Sequence, residues 1–233
     1  SRDYEKKSNG NNNKKWSIGR RENLKYLLLI DFKSVKKILI LYYILIALAT
    51  FFVYPIAGWI VILFIIRIER DVCKENALMG LPSFYKTFPQ KNLYPDEKNL
   101  FFYLVMMGAC LVWGIGCFMV GVKEFPEISD KLRLIIGLCF LVMIICSIYH
   151  ISWMHFFFKY QDTTICMKAV SKYYIIIALL ILLVSRNQYL YTKSTVLFEF
   201  SISTCLILGV IDILVLIVAF KYIRKSYEMS EIE

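Results

Sequence analysis

An apolar run over residues 38–66, bracketed by Lys36 and Lys37 on one side and by Arg67 and Arg70 on the other, limits the possible folds more than any other part of this chain. One helix needs about 20 apolar residues to span the hydrocarbon of a bilayer and two need closer to 40, so this run lies between one crossing and two. At its centre, Val53-Tyr54-Pro55-Ile56-Ala57-Gly58-Trp59 sets Pro55 and Gly58 three apart among aromatic residues, which is how a tight hairpin turn at a membrane interface is written. The alternative is one kinked helix, with the carbonyl freed by Pro55 satisfied from a neighbouring helix.

Charge arbitrates between the two. Four later apolar segments, 100–122, 134–158, 173–184 (or on to 191) and 195–220, read as spans. With a hairpin at 38–66 the chain crosses six times, and Lys plus Arg divide 23 inside against 5 outside; with one crossing there they divide 16 against 12. The positive-inside rule therefore favours the hairpin. Composition agrees: at 58% hydrophobic residues, 16% aromatic and a mean hydropathy of +0.57, the chain is too apolar for one soluble domain. The net charge of +10 flanks spans and is concentrated in the N-terminal tail, which suits an anionic lipid leaflet and argues against nucleic acid. The expected fold is an all-α polytopic transmembrane helix bundle in a bacterial cytoplasmic membrane, with six spans and both termini cytoplasmic, or five spans if 38–66 crosses once.

Outside the spans, residues 1–20 are Asn/Lys-rich and aperiodic and read as a disordered cytoplasmic tail, starting without Met and without a cleavable signal pattern. Over 21–37, Leu24, Leu27, Leu28, Phe32 and Val35 recur at helical spacing opposite Glu22, Lys25, Lys33 and Lys36. That pattern describes an interfacial amphipathic helix, or else a cytoplasmic extension of the first span. The loop 67–99 carries six basic and five acidic residues, with a short helix expected before Gly80 and Pro82 and two further prolines, Pro89 and Pro95. Leu81, Pro82, Phe84 and Tyr85 make it a docking surface for a soluble partner, or a structured connector on the bilayer surface. Residues 221–233 form the cytoplasmic C-terminal tail.

Within the spans, Cys110, Gly114, Cys117 and Gly121 share one helix face at offsets of 4, 3 and 4. Small side chains allow close helix approach in lipid, here for an intramolecular contact in preference to a subunit interface. Cys110/Cys117 and Cys139/Cys146 share a seven-residue spacing, but the cysteine count of seven is odd and no C-x-x-C occurs, so small apolar residues are expected in place of a metal site. Asp212 is the only charge in 206–220 and calls for a partner inside the bundle. His150 sits at matching depth when both are counted from the outer ends of 134–158 and 195–220. The pair reads either as a buried hydrogen bond or as a protonatable site. His155 lies roughly 140° around the helix from His150 and cannot share a metal with it.

Enzyme signatures are missing from the chain: it has no H-E-x-x-H, G-x-S-x-G or G-x-x-x-x-G-K-[ST], and no catalytic residue or cofactor is expected. The run from Leu24 to Lys37 (LKYLLLIDFKSVKK), followed by a hairpin and then by Leu81-Pro82-Ser83, resembles the opening of permease subunits of bacterial ABC-type exporters of the six-helix class. The resemblance covers residues 24–83. It implies an interfacial helix before the first span, a coupling element after the second that docks on a separate ATPase, and a path formed by two permease subunits. The chain departs from that pattern at 87–99, where two prolines intervene before the next span. The alternative expectation is a non-catalytic oligomeric membrane sensor, channel or scaffold subunit that recruits a soluble partner through 67–99.

Overall fold

The computed structural model describes residues 2–52, 57–87, 92–120, 128–170 and 201–230, and among these it contains helices and no strand. The helices are α1 (Arg2–Phe52), α2 (Ala57–Leu78), α3 (Leu81–Lys86), α4 (Leu93–Val120), α5 (Ile128–Tyr160) and α6 (Ile202–Met229), with a further helical stretch over 163–170. Three of them, over Leu93–Met119, Leu132–Tyr160 and Ile202–Met229, are long and apolar enough to cross a membrane, with mean hydropathies of 2.1, 2.6 and 2.7. The chain is a helical membrane protein.

The apolar run at 38–66 is divided between two helices. Pro55 lies outside the described residues, and Gly58 is the second residue of α2. Asn76 reaches Asp31, while Phe64 stacks on Tyr42 with ring centroids 4.8 Å apart, so α1 and α2 pack antiparallel. The same register argument orders the rest. Phe32 meets Phe101 and Thr50 meets Gly116, so α4 runs parallel to α1. Asn99 meets His150 and Gly114 meets Ile135, so α5 returns antiparallel to α4. Phe140 meets Gly209 and His155 meets Ser226, so α6 runs parallel to α5. Tyr160 and Ile202 therefore stand at opposite ends of the bundle.

Local signals account for the helix ends. Gly80 takes a left-handed φ of 65° after α2, donating its N–H to the Ala77 carbonyl, and Pro82 opens α3 where its missing N–H costs nothing. Ser201 caps α6, its Oγ accepting the Thr204 N–H at 3.1 Å. Asp162 does the same for residues 163–170, accepting from Thr164 N at 2.6 Å, and these bonds to the charged form hold its carboxyl below the usual aspartate range. Cys166, buried just after it, has its thiol pushed up to about 12 by burial.

The elements differ from expectation in three places. The 2–20 stretch, expected as disordered, continues α1 as helix, and 21–37 is the extension of the first helix in place of a separate interfacial one. Extending an existing helix is far easier than nucleating a new one. The inward stripe of this extension is Leu27, Asp31 and Val35, four apart and nearly inaccessible to solvent. The loop 67–99 is mostly helical, because α2 runs on to Leu78 and α4 begins at Leu93, taking Pro95 into its first turn where proline is tolerated. At this α3 end of the bundle the core is aromatic: Tyr94, Phe158 and Tyr227 pack with centroids 4.9 to 6.2 Å apart.

Candidate functional site

The polar side chains of the interior gather at the α3 end. Asp31 faces inward from α1; Glu69, Cys73 and Asn76, at offsets of 4 and 3, face inward from α2. Glu97, Lys98 and Asn99 come from the first turns of α4 and His150 from α5. All eight are buried, with Glu97 and Asn99 at 0% exposure.

Two linked groups result. Lys98 Nζ donates to Asp31 Oδ2 and lies 2.9 Å from Glu97 Oε2, while Asn76 Nδ2 donates to Asp31 Oδ1 at 3.3 Å. Two carboxylates thus share one ammonium. Beside them His150 Nδ1 pairs with Glu69 Oε1, and His150 Nε2 lies 3.0 Å from Asn99 Oδ1. Phe102 stacks on the imidazole at 4.0 Å and 9°, holding the ring in plane. On the next turn Trp153 Nε1 donates to Cys73 Sγ at 3.4 Å. A cavity of about 20 Å³ with an apolar wall lies among Glu69, Lys98, His150 and apolar neighbours that include Phe101, Phe102 and Met154. Nearer the surface, Arg224 of α6 clamps Asp96 with both guanidinium arms, the second at 2.8 Å.

Among the described residues, no group of three or more His, Cys, Asp or Glu side chains converges to hold a metal ion. What the arrangement can do is carry charge and protons inside the bundle, joining α1, α2, α4 and α5 through ionisable groups in a site of low dielectric.

Comparison with protein-family models, with curated proteins and with solved structures returns no match to this chain. The site is therefore read from its own geometry.

The expected pairing of Asp212 with His150 is replaced. His150 is engaged by Glu69 and Asn99, and the contacts of α5 with α6 set their register: Arg133 O meets Cys205 Sγ, Phe140 meets Gly209 and His155 meets Ser226, offsets of about 70 residues throughout. Asp212 thus lies level with Val142, about 12 Å along the axis from His150 at 1.5 Å per residue. The depths differ because α6 begins at Ile202, after the Ser201 cap, and not at residue 195. Asp212 Oδ1 is buried without a hydrogen-bond partner among the described residues.

The small-residue face of α4 packs against α5. Gly114 approaches Ile135 and Cys139, the Cys139 thiol points at the Cys110 carbonyl, and Cys117 is buried; Gly121 lies outside the described residues. A second small face went unread in the sequence: Gly108 and Gly116, eight apart, receive Tyr43 and Thr50 of α1.

Of the expected docking residues, three turn toward the bundle. Pro82 is buried and its carbonyl accepts the Tyr227 hydroxyl at 2.7 Å, Leu81 packs on the core, and Tyr85 stacks on Tyr94. Phe84 is the one that faces outward, next to the exposed Leu78 and Met79.

The residues missed from the sequence are Asp31, Glu69, Asn76, Glu97, Lys98 and Asn99. For Glu69 and Asn76 the signal was periodicity: Ile65, Ile68, Glu69, Val72, Cys73 and Asn76 continue one helix face beyond the last apolar residue, and a loop would not keep that period.

Proposed function

We propose that this chain is a permease-like membrane subunit working with a separate ATPase that docks at the α3 end of the bundle, as the resemblance of residues 24–83 implies. Six crossings with both termini cytoplasmic fit the alternation of helix directions, and they fit the need to return from Tyr160 to Ile202 across the bundle. The observation that carries the reading is the setting of α3. This short helix joins two antiparallel helices and is fastened inward by Tyr227 on Pro82 and by Lys86 Nζ on Ser230 Oγ at 3.3 Å, while Leu78, Met79 and Phe84 project outward. A rigidly seated element with a small apolar outer surface suits the transmission of force from a soluble motor to the helices it connects.

The test is co-expression with an ATPase encoded next to this gene, reconstitution in liposomes, and measurement of ATP hydrolysis with and without this chain. Stimulation that falls at least tenfold in Phe84→Asp, with normal assembly of the bundle, supports the reading; hydrolysis indifferent to this chain refutes it. The competing description, an oligomeric scaffold or channel, draws on the long apolar face of α6 formed by Leu206, Val210, Ile213, Leu214 and Ile217. It predicts a ring of subunits and no stimulated hydrolysis.

A further inference from the structure

We propose that Glu69 and His150 form a proton-binding site, in which one proton is held between His150 Nδ1 and Glu69 Oε1. The argument begins at Asn99. Its Nδ2 donates to the Pro95 carbonyl at 2.9 Å, so its Oδ1 is the atom turned to His150. The opposite orientation of the amide would set two acceptor oxygens against each other. An acceptor at 3.0 Å from Nε2 requires Nε2 to carry hydrogen. A neutral imidazole has one N–H, and here it is already assigned to Nε2, which leaves a lone pair on Nδ1. That lone pair cannot face an ionised carboxylate at hydrogen-bonding distance. A further proton must therefore lie between Nδ1 and Oε1, either on the imidazolium or on the carboxylic acid. The two placements differ only in where along one hydrogen bond it sits.

Charged and titratable groups face the pair from every neighbouring helix. From α1 comes Asp31, from α2 Cys73, and from α4 Glu97, Lys98 and Tyr103; α6 contributes Arg224, occupied by Asp96, and Asp212 about two turns away. Glu69 and His150 both border a small cavity whose wall is apolar, and Glu69 Oε2 is buried without a hydrogen-bond partner among the described residues. Loss of the proton leaves Glu69 and His150 as facing acceptors. Because Phe102 and Asn99 hold the ring, the movable member is Glu69, and with it the link between α2 and α5. A bundle built this way couples the relative position of those helices to one proton, whatever partner binds at α3.

The chain has two histidines, so ring-nitrogen NMR of the full-length protein in nanodiscs, labelled with ¹⁵N-histidine and ¹³C-glutamate, reads the site directly. At about pH 8 an isolated Glu and His are both deprotonated. The expected result is that one histidine, the ring that survives in His155→Gln, shares a proton between Nδ1 and a glutamate carboxyl at this pH, and that Glu69→Gln, whose amide N–H can still donate to Nδ1, replaces the carboxyl signal with that of an amide donor. A bare Nδ1 facing an ionised glutamate in the wild type overturns the proposal. So does a proton signal that persists unchanged in Glu69→Gln. The wild-type spectrum decides alone if Glu69→Gln does not fold.

Discussion

Removal of the Lys98 ammonium should be the most damaging single change at the α3 end. Lys98 and Asp31 are 4% exposed at their side chains and Glu97 is fully buried, so Lys98→Met leaves two carboxylates facing each other with no counter-charge. At the 2.9 Å separation of Lys98 from Glu97, Coulomb's law with an effective dielectric of about 20 gives roughly 6 kcal/mol of attraction. Desolvation of each ion costs several kcal/mol, so the pair itself contributes less than that. Breaking it exposes the imbalance, and the expected loss is about 3–5 kcal/mol, the range for removing one partner of a buried ion pair. Replacing all three charges, as Asp31→Leu with Glu97→Gln and Lys98→Met, should recover most of this loss, since apolar groups of similar volume are often neutral substitutes. The assay is reversible unfolding in mixed micelles, followed by the fluorescence of the four tryptophans, for wild type, the single variants and the triple variant. A loss below about 1 kcal/mol in Lys98→Met, or a triple variant as unstable as the single, would refute the view of Lys98 as the buried counter-ion of α1 and α4.

Other consequences can be checked separately. Gly116→Val brings a branched side chain to a position whose Cβ would lie 2.8 Å from the Thr50 methyl, and overpacking of this kind should cost about 1–3 kcal/mol and part α1 from α4, read as faster hydrogen exchange around Thr50. Tyr227→Phe removes the hydroxyl that holds the Pro82 carbonyl, for a loss of about 1 kcal/mol and faster exchange at Phe84 and Thr87, whose amides are bonded within the α3 turn. Single cysteines at Ser129 and Asn92 in a cysteine-free background should separate the two ends of the bundle, with an impermeant thiol reagent reaching 129 from outside and 92 only from inside; the reverse pattern would invert the orientation. The capping carboxylate of Asp162 has a folded pKa below its unfolded value, so its stabilisation of residues 163–170 is present above the unfolded aspartate pKa and is lost as pH falls through the folded one. Amide exchange over 163–170 should rise at acid pH in the wild type and be high at all pH values in Asp162→Ala.

Composition and periodicity alone point to a bundle of apolar helices, to a turn or kink near Pro55 and Gly58 that the charge distribution resolves in favour of a hairpin, and to a close-packing face of Cys110, Gly114 and Cys117. Each of these rests on local composition or on period along one helix, which are properties of the chain alone. The same reasoning singles out His150 as a buried polar group, but not its partner. Partner choice belongs to the tertiary structure, because it depends on the register between helices far apart in sequence. The Ser201 cap starts α6 at Ile202 and carries Asp212 away from His150, while α2 continues past Arg67 and carries Glu69 to it. Asp31, Glu97 and Lys98 read as solvated charges beside a membrane until α1, α2 and α4 close around them, because burial is decided by which faces meet. The charged loop of the sequence thus became the polar interior of the fold.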